Sequence, residues 1–251
     1  FIKAYLHNLL EKLIYFLNYD RYVAVSKSTA KQIINVGVPA TKVSVVYNGI
    51  DYAIWNSANY NRNYLRKKLG LGSIFVYFFY GRPGLSKGLE YLIRAVPLIS
   101  KKIPGSKLLA IVSRDKSYDK FYHKIINLIK ELDIEKNVIL CNPLDYLELP
   151  KYIMSSDCVV VPSLSEGFGF NIAETCALGI PVVASNTTSI PEVVSGKFVL
   201  VKPKDEREIF KGVIRVYLKL YDKSPLKKFK EEDTLKGYLG VYKEVLLGTN
   251  Q

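Results

Sequence analysis

The stretch at residues 157–190, DCVVVPSLSEGFGFNIAETCALGIPVVASNTTSI, reads as strand, loop, helix, strand and loop in turn. Cys158 to Val161 is a short apolar run closed by Pro162, the length of a buried strand. Ser163 to Gly169 is polar and glycine-bearing, hence loop. From Asn171 to Leu178 apolar residues recur at Ile172, Ala173, Cys176 and Ala177 and stop before Gly179, as a helix does. Pro181 to Ala184 is a second buried strand. Two carboxylates sit in the middle, Glu166 in the loop and Glu174 on the helix.

The same alternation extends on both sides. Strands are expected at 22–25, 42–47, 74–80, 107–112, 138–140 and 198–201. Helices are expected at 2–17, 29–36 behind a Ser26 cap, 62–69, 89–99 with a kink at Pro97, 118–132, 147–155 and 206–221, with two further helical pieces between Pro225 and Leu247. Residues 50–60 are Tyr- and Asn-rich and irregular, and read as a linker. Strands alternating with helices of ~10–15 residues predict an α/β fold, a Rossmann-like doubly wound parallel sheet with right-handed crossovers.

The chain has 251 residues, 49% of them hydrophobic, enough for a packed core. Lys plus Arg is 36 against 23 Asp plus Glu, a net charge of +13. That balance points to an anionic partner: nucleic acid, a membrane surface or a phosphorylated substrate. The plainer alternative is a solvated, solubilising surface. Lysines crowd the C-terminal third, at Lys202, Lys204, Lys219, Lys223, Lys227, Lys228 and Lys230. No RNP-like motif, zinc spacing or helix-turn-helix pattern supports nucleic acid as the partner. No apolar run approaches the ~18 residues of a membrane span. Cys141, Cys158 and Cys176 lie apart in apolar segments, which argues for reduced thiols and a cytoplasmic setting. His7 and His123 are the only histidines and have no metal-ligand neighbours, so a Ser-His or Cys-His hydrolase is disfavoured.

In a doubly wound sheet, ligands bind at the carboxyl ends of the strands. Two loops fall there. The first, Gly81 to Gly88, is GRPGLSKG. Arg82 supplies a planar fork suited to phosphate and Lys87 a point charge, together able to offset a departing diphosphate without a metal. The glycines fit neither GxGxxG nor GxxxxGK[ST], so a dehydrogenase fingerprint and a P-loop are poor fits. The second loop is SEGFGFNIAE. Gly167 and Gly169 leave room for backbone beside a bulky ligand, and the helix start near Asn171 and Ile172 is a ready anion site. Glu166 can accept from hydroxyls at the cleft mouth, and Glu174 can bridge two adjacent hydroxyls as on a ribose. Taken singly, Glu166 reads better as a loop charge and Glu174 as a first-turn acid offsetting the helix dipole. The two loops together favour a ligand.

The order NGID (48–51), GR…SKG (81–88), PSLSEGFGFNIAE (162–174) and ALGIPVVAS (177–185) resembles the retaining nucleotide-sugar glycosyltransferases of family four, with the GT-B fold. Glu166 and Glu174, with seven residues between them, match that family's paired glutamates, and the resemblance runs from about residue 22 to 245. It implies transfer of a glycosyl group from a UDP- or GDP-sugar to a hydroxyl acceptor, with retention of configuration. Arg82, Lys87 and Glu166 would be catalytic: the cations on the donor diphosphate, the carboxylate on the donor sugar. Gly81, Gly167, Phe168, Gly169, Phe170, Asn171, Ile172 and Glu174 would bind substrate, Glu174 at the ribose. No cofactor and no metal are implied, and no Asp-x-Asp motif occurs. The implied partners are the nucleotide-sugar donor, a glycan or lipid-linked acceptor and an anionic membrane surface, with no nucleic acid. Localisation is expected to be cytoplasmic, with peripheral membrane attachment as an alternative.

The family's fold has two Rossmann-like domains, yet only about 50 residues precede NGID here. Residues 1–54 are therefore expected to be a remnant of the N-terminal, acceptor-side domain with its linker, 55–232 the donor-binding domain and 233–251 a helix returning toward the first. The glycine-rich loop and histidine near the family's N-terminus have no counterpart, and Ile111 to Asp115 replaces a glycine-bearing turn. The chain begins at Phe1, so a fragment of a longer protein and a naturally short one both remain open. With them stands the alternative of a nucleotide-sugar binding module, inactive alone or needing a partner domain.

Overall fold

In the computed structural model the described residues are 15, 17, 19–82, 84–113 and 118–248. Most of the helix expected over 2–17, together with His7, Arg114 and Asp115, lies outside them. The chain divides into two compact units, one of Phe1–Gly49 with Phe229–Gln251 and the other of Ile50–Lys228.

The smaller unit pairs β1 (Tyr22–Ala24) and β2 (Val43–Val45) in parallel, joined through α1 (Lys27–Asn35). Ser26 caps α1 as expected, its Oγ accepting from Thr29 N–H at 3.0 Å. Ala24, Ala30, Ile33 and Val38 form its small core.

The larger unit begins at Ile50, at the start of the stretch read as a linker; within that stretch Ile50 and Trp55 are buried while residues 56–59 are exposed. Trp55 is 1% exposed and donates its Nε1–H to Tyr146 Oη at 2.7 Å. After α2 (Arg62–Lys68) come β3 (Val76–Gly81), α3 (Leu89–Lys102), β4 (Lys107–Val112), α4 (Asp119–Glu131), β5 (Val138–Cys141), α5 (Leu149–Ser155), β6 (Cys158–Val161), α6 (Phe170–Ala177), β7 (Val182–Ser185), α7 (Ile190–Val193), β8 (Gly196–Val201), α8 (Glu206–Tyr217) and β9 (Asp222–Ser224). Helix α9 (Glu231–Gly248) belongs to the smaller unit and is a single helix where two pieces were expected.

The sheet runs β5-β4-β3-β6-β7-β8-β9, parallel except for β9, which lies antiparallel on β8. This is the α/β, mostly parallel doubly wound sheet read from the sequence, with one added strand. The helix expected to reach 221 stops at Tyr217. There Leu220 N–H reaches back to Arg215 O at 2.7 Å and Lys219 turns left-handed, closing the last turn and releasing the chain into β9.

Strand parity sorts the core. Tyr77 and Phe79 point with Leu108, Ala110, Val160 and Val199 toward α3, α4 and α8, where Leu92, Ile93, Val96 and Val213 are fully buried. Each such side chain contributes about 2 kcal/mol. Phe78 and Tyr80 take the other face, Phe78 stacking on Tyr152 of α5 at 6.4 Å. Cys158 and Cys176 are buried and Cys141 half-buried, all three free thiols. Among the described residues no helix is long and apolar enough to cross a membrane.

Candidate functional site

The strand order changes direction between β3 and β6: the chain winds outward from β3 to β5 on one side and from β6 to β8 on the other. A crevice opens at such a switch point, beyond the carboxyl ends of the two central strands. GRPGLSKG leaves β3 there, and PSLSEGFGF leaves β6.

The two loops touch. Leu164 N–H donates to Ser86 O at 2.7 Å. Gly88, left-handed at φ +64°, lies so close to the second loop that a Cβ on it would sit 2.0 Å from Pro162 O. Only glycine meets both demands. The contact delivers Lys87 to Glu166: Nζ donates to Oε1 at 2.7 Å and to Oε2 at 2.8 Å. The side chains are 22% and 9% exposed, so the pair is drawn well into the protein. Ser163 Oγ donates to Glu166 Oε1 at 2.7 Å. From the segment after β7, Thr188 Oγ1 accepts from Glu166 N–H at 2.9 Å, and Ser189 Oγ lies 3.0 Å from the carbonyls of both Glu166 and Phe168. Glu166 is thereby held on every side in one position.

Glu174 occupies a different setting. Its residue is 5% exposed and receives the Tyr80 hydroxyl at Oε2, 2.8 Å away. Burial pushes its carboxyl up to about 7 against the opposing pull of the Tyr80 hydrogen bond. Burial, then the Glu174 charge, raise the Tyr80 phenol well above its ordinary range. Tyr80 Oη is also 3.0 Å from Asn171 O.

Gly169 precedes α6 at φ +99°, and the helix start carries no side-chain cap. Here the structure corrects one expectation. Ile172 N–H is not free: it donates to Gly169 O at 3.0 Å, because the left-handed glycine tightens the first turn. At this helix start the N–H groups of Phe170 and Asn171 have no backbone acceptor among the described residues. Phe168 is buried and Phe170 47% exposed, their rings edge to face at 5.3 Å. Gly167 is exposed beside them.

Arg82 is exposed immediately after β3, beyond Gly81. It lines a cavity of about 250 Å³ with Tyr80, Gly81, Ile111, Ser113 and Leu144 at the ends of β3, β4 and β5. Lys87 and Glu166 thus come together, while Arg82 stands with Tyr80, and Tyr80 links that cavity to Glu174. Tyr80, Ser163, Thr188 and Ser189 were not singled out from sequence. Each has a polar tip at or just past the carboxyl end of a strand, and that position was the available signal.

The fold and this pair of loops define a class, the GT-B glycosyltransferases. Among solved structures, sucrose-phosphate synthase of Thermosynechococcus elongatus superposes with a TM-score of 0.79 at 20% identity, over 96% of this chain and 61% of that one. HepE of Anabaena, in complex with UDP and glucose, gives 0.69 at 23%, over 79% and 53%. The family Glycosyl transferases group 1 matches residues 61–232, and Glycosyltransferase Family 4 matches residues 1–53. The chain belongs to the group 1 glycosyl transferases. An uncharacterized glycosyltransferase of Methanocaldococcus jannaschii is 31% identical over 201 residues, 77% of this chain and 50% of that protein. The D-inositol 3-phosphate glycosyltransferase of Mycobacterium tuberculosis is 29% identical over 177 residues, 70% and 36%. The chain therefore spans half or less of the length of these two relatives.

Proposed function

We propose that the larger unit binds a UDP- or GDP-sugar and serves a family-four glycosyltransferase that moves the sugar to a hydroxyl acceptor with retention of configuration. The observation that carries this reading is the junction of the two loops, which sets a cation and a carboxylate 2.7 Å apart at the switch point of the sheet. A donor entering the crevice places its base in the cavity beside Tyr80, its ribose at Glu174 and its diphosphate between Arg82, Lys87 and the N–H groups of Phe170 and Asn171. Gly167 and Gly169 let backbone approach the sugar, and Glu166 accepts from its hydroxyls. HepE, crystallised with UDP-glucose, supports a nucleotide-sugar donor.

In the transfer step the bond from the anomeric carbon to the diphosphate oxygen breaks. The acceptor oxygen attacks from the face the diphosphate leaves, and the diphosphate takes the acceptor proton. Arg82 and Lys87 offset the charge gathering on the leaving group, a contribution of about 3 kcal/mol per well-placed donor. No divalent metal is assigned a role. Lys87 stays on Glu166 and turns its remaining donor toward the diphosphate, so one ammonium ties the leaving group to the carboxylate that holds the sugar. The acceptor is a glycan or a lipid-linked sugar, and the excess of lysine and arginine favours an anionic membrane surface nearby.

The test is release of UDP or GDP from a panel of nucleotide sugars, followed by the anomeric configuration of any transferred sugar by proton NMR. Slow release that Glu166→Ala abolishes is expected. Binding without release from any donor reduces the chain to a nucleotide-sugar binding module, and an inverted product refutes retention.

A further inference from the structure

We propose that Tyr80 is a positioning residue for the donor, aiming the Glu174 carboxylate at the ribose through its hydroxyl; this rests on the donor reading above. Strand parity carries the argument. Tyr80 is the penultimate residue of β3, and residues of its parity point to the face carrying α5 and α6. Its ring spans from the cavity that it lines with Arg82 to the Glu174 oxygen at 2.8 Å. One residue further along the strand the side chain would face α3, and two residues earlier, at Phe78, it would lie in the core.

The hydroxyl has one proton and two acceptors, Glu174 Oε2 at 2.8 Å and Asn171 O at 3.0 Å. When Glu174 is ionised, Tyr80 donates to the carboxylate. When Glu174 is protonated, its own O–H donates to Tyr80 Oη and Tyr80 donates to Asn171 O. That carbonyl has another partner in Thr175 Oγ1 at 2.6 Å, so it loses little in either state. Tyr80 therefore holds the carboxyl group in one place through a change of charge, and only the ionised form has acceptors to spare for two ribose hydroxyls. The other titratable group acting on the pair is Tyr146, ahead of α5.

The experiment measures affinity for UDP-glucose and GDP-glucose, neither of which titrates near neutrality, in wild type, Tyr80→Phe, Glu174→Gln and the double variant. Inorganic pyrophosphate at pH 8 is the ligand without ribose. For wild type the affinity for the better nucleotide sugar should rise about tenfold from pH 6 to pH 8, as the ionised fraction of a group titrating near 7 does. Tyr80→Phe should lose about fivefold at pH 8 and move the acid limb to higher pH. Glu174→Gln should lose tenfold or more and flatten the limb, and the double variant should be no worse than Glu174→Gln. Pyrophosphate binding should be unchanged in all, which also reports that the variants fold. If Tyr80→Phe binds the nucleotide sugar like wild type with the same limb while Glu174→Gln loses affinity, the positioning role is refuted and the donor reading stands. If Glu174→Gln binds like wild type, the ribose assignment fails and the role of Tyr80 falls with it.

Discussion

Replacing Glu174 with glutamine should stabilise the protein, and by an amount that depends on pH. The carboxyl is 5% exposed and held up at about 7 by burial, against an ordinary value of 4.5. Below pH 4.5 it is protonated in both the folded and the unfolded chain and adds nothing to any pH slope. Above 4.5 the unfolded chain releases the proton while the folded one keeps it, so the folded state binds more protons and stability falls as pH rises. The loss is complete once the folded protein also ionises, above about pH 7. At 1.36 kcal/mol for each pH unit between the two values, it totals about 3 kcal/mol. Glutamine is neutral throughout and still accepts from Tyr80. Urea unfolding of wild type and Glu174→Gln at pH steps from 4 to 8 isolates the term, because every other titrating group cancels in the difference. The variant should gain about 3 kcal/mol on wild type between pH 4 and pH 8, nearly all of it between 4.5 and 7.5. A difference that stays constant with pH would refute the assignment of a neutral, buried carboxyl. Such a cost in the empty protein is what a carboxylate kept for a ligand's hydroxyls should carry.

Four further substitutions probe the junction and the smaller unit. Gly88→Ala puts a Cβ 2.0 Å from Pro162 O in a left-handed conformation, and should cost about 3 kcal/mol by thermal melting while abolishing nucleotide-sugar binding in whatever fraction still folds. Lys87→Ala leaves the Glu166 carboxylate with Ser163 as its side-chain donor and should cost about 2–3 kcal/mol, somewhat less than a fully buried pair because Lys87 is 22% exposed; adding Glu166→Gln should restore most of that stability but no donor turnover. Gly49→Ala would drive a Cβ to 2.4 Å from Glu231 N, so circular dichroism should report partial loss of α9 and a lower melting temperature.

The parallel sheet, its crossovers and the two site loops are readable from apolar runs and glycine punctuation, because strands buried on both faces leave so strong a pattern. What the pattern does not hold is the neighbour relation. Lys87 and Glu166 each stand out, but their pairing across 79 positions depends on β3 lying beside β6, which periodicity does not encode. The same holds for Gly88, whose requirement comes from Pro162 on the other loop. Tyr80 disappears into an aromatic strand, VYFFYG, and only its parity and place at the strand's end distinguish it from the core residues before it. Helix starts leave donors open, which makes the Ile172 N–H an expected free donor, and the left-handed turn at Gly169 closes that one. β9 is three polar residues, DKS, with no strand pattern of its own; it exists because β8 has an edge to pair.

The central claim is that the switch point between β3 and β6 is a nucleotide-sugar site built from both loops. Isothermal titration of this chain with UDP-glucose, GDP-glucose and GDP-mannose, repeated on Arg82→Ala, Lys87→Ala and Glu174→Gln, addresses it directly. Saturable binding of at least one donor is expected, weakened about tenfold or more by each substitution in a chain that remains folded. No heat from any donor at millimolar concentration, or binding that survives all three substitutions unchanged, would contradict it.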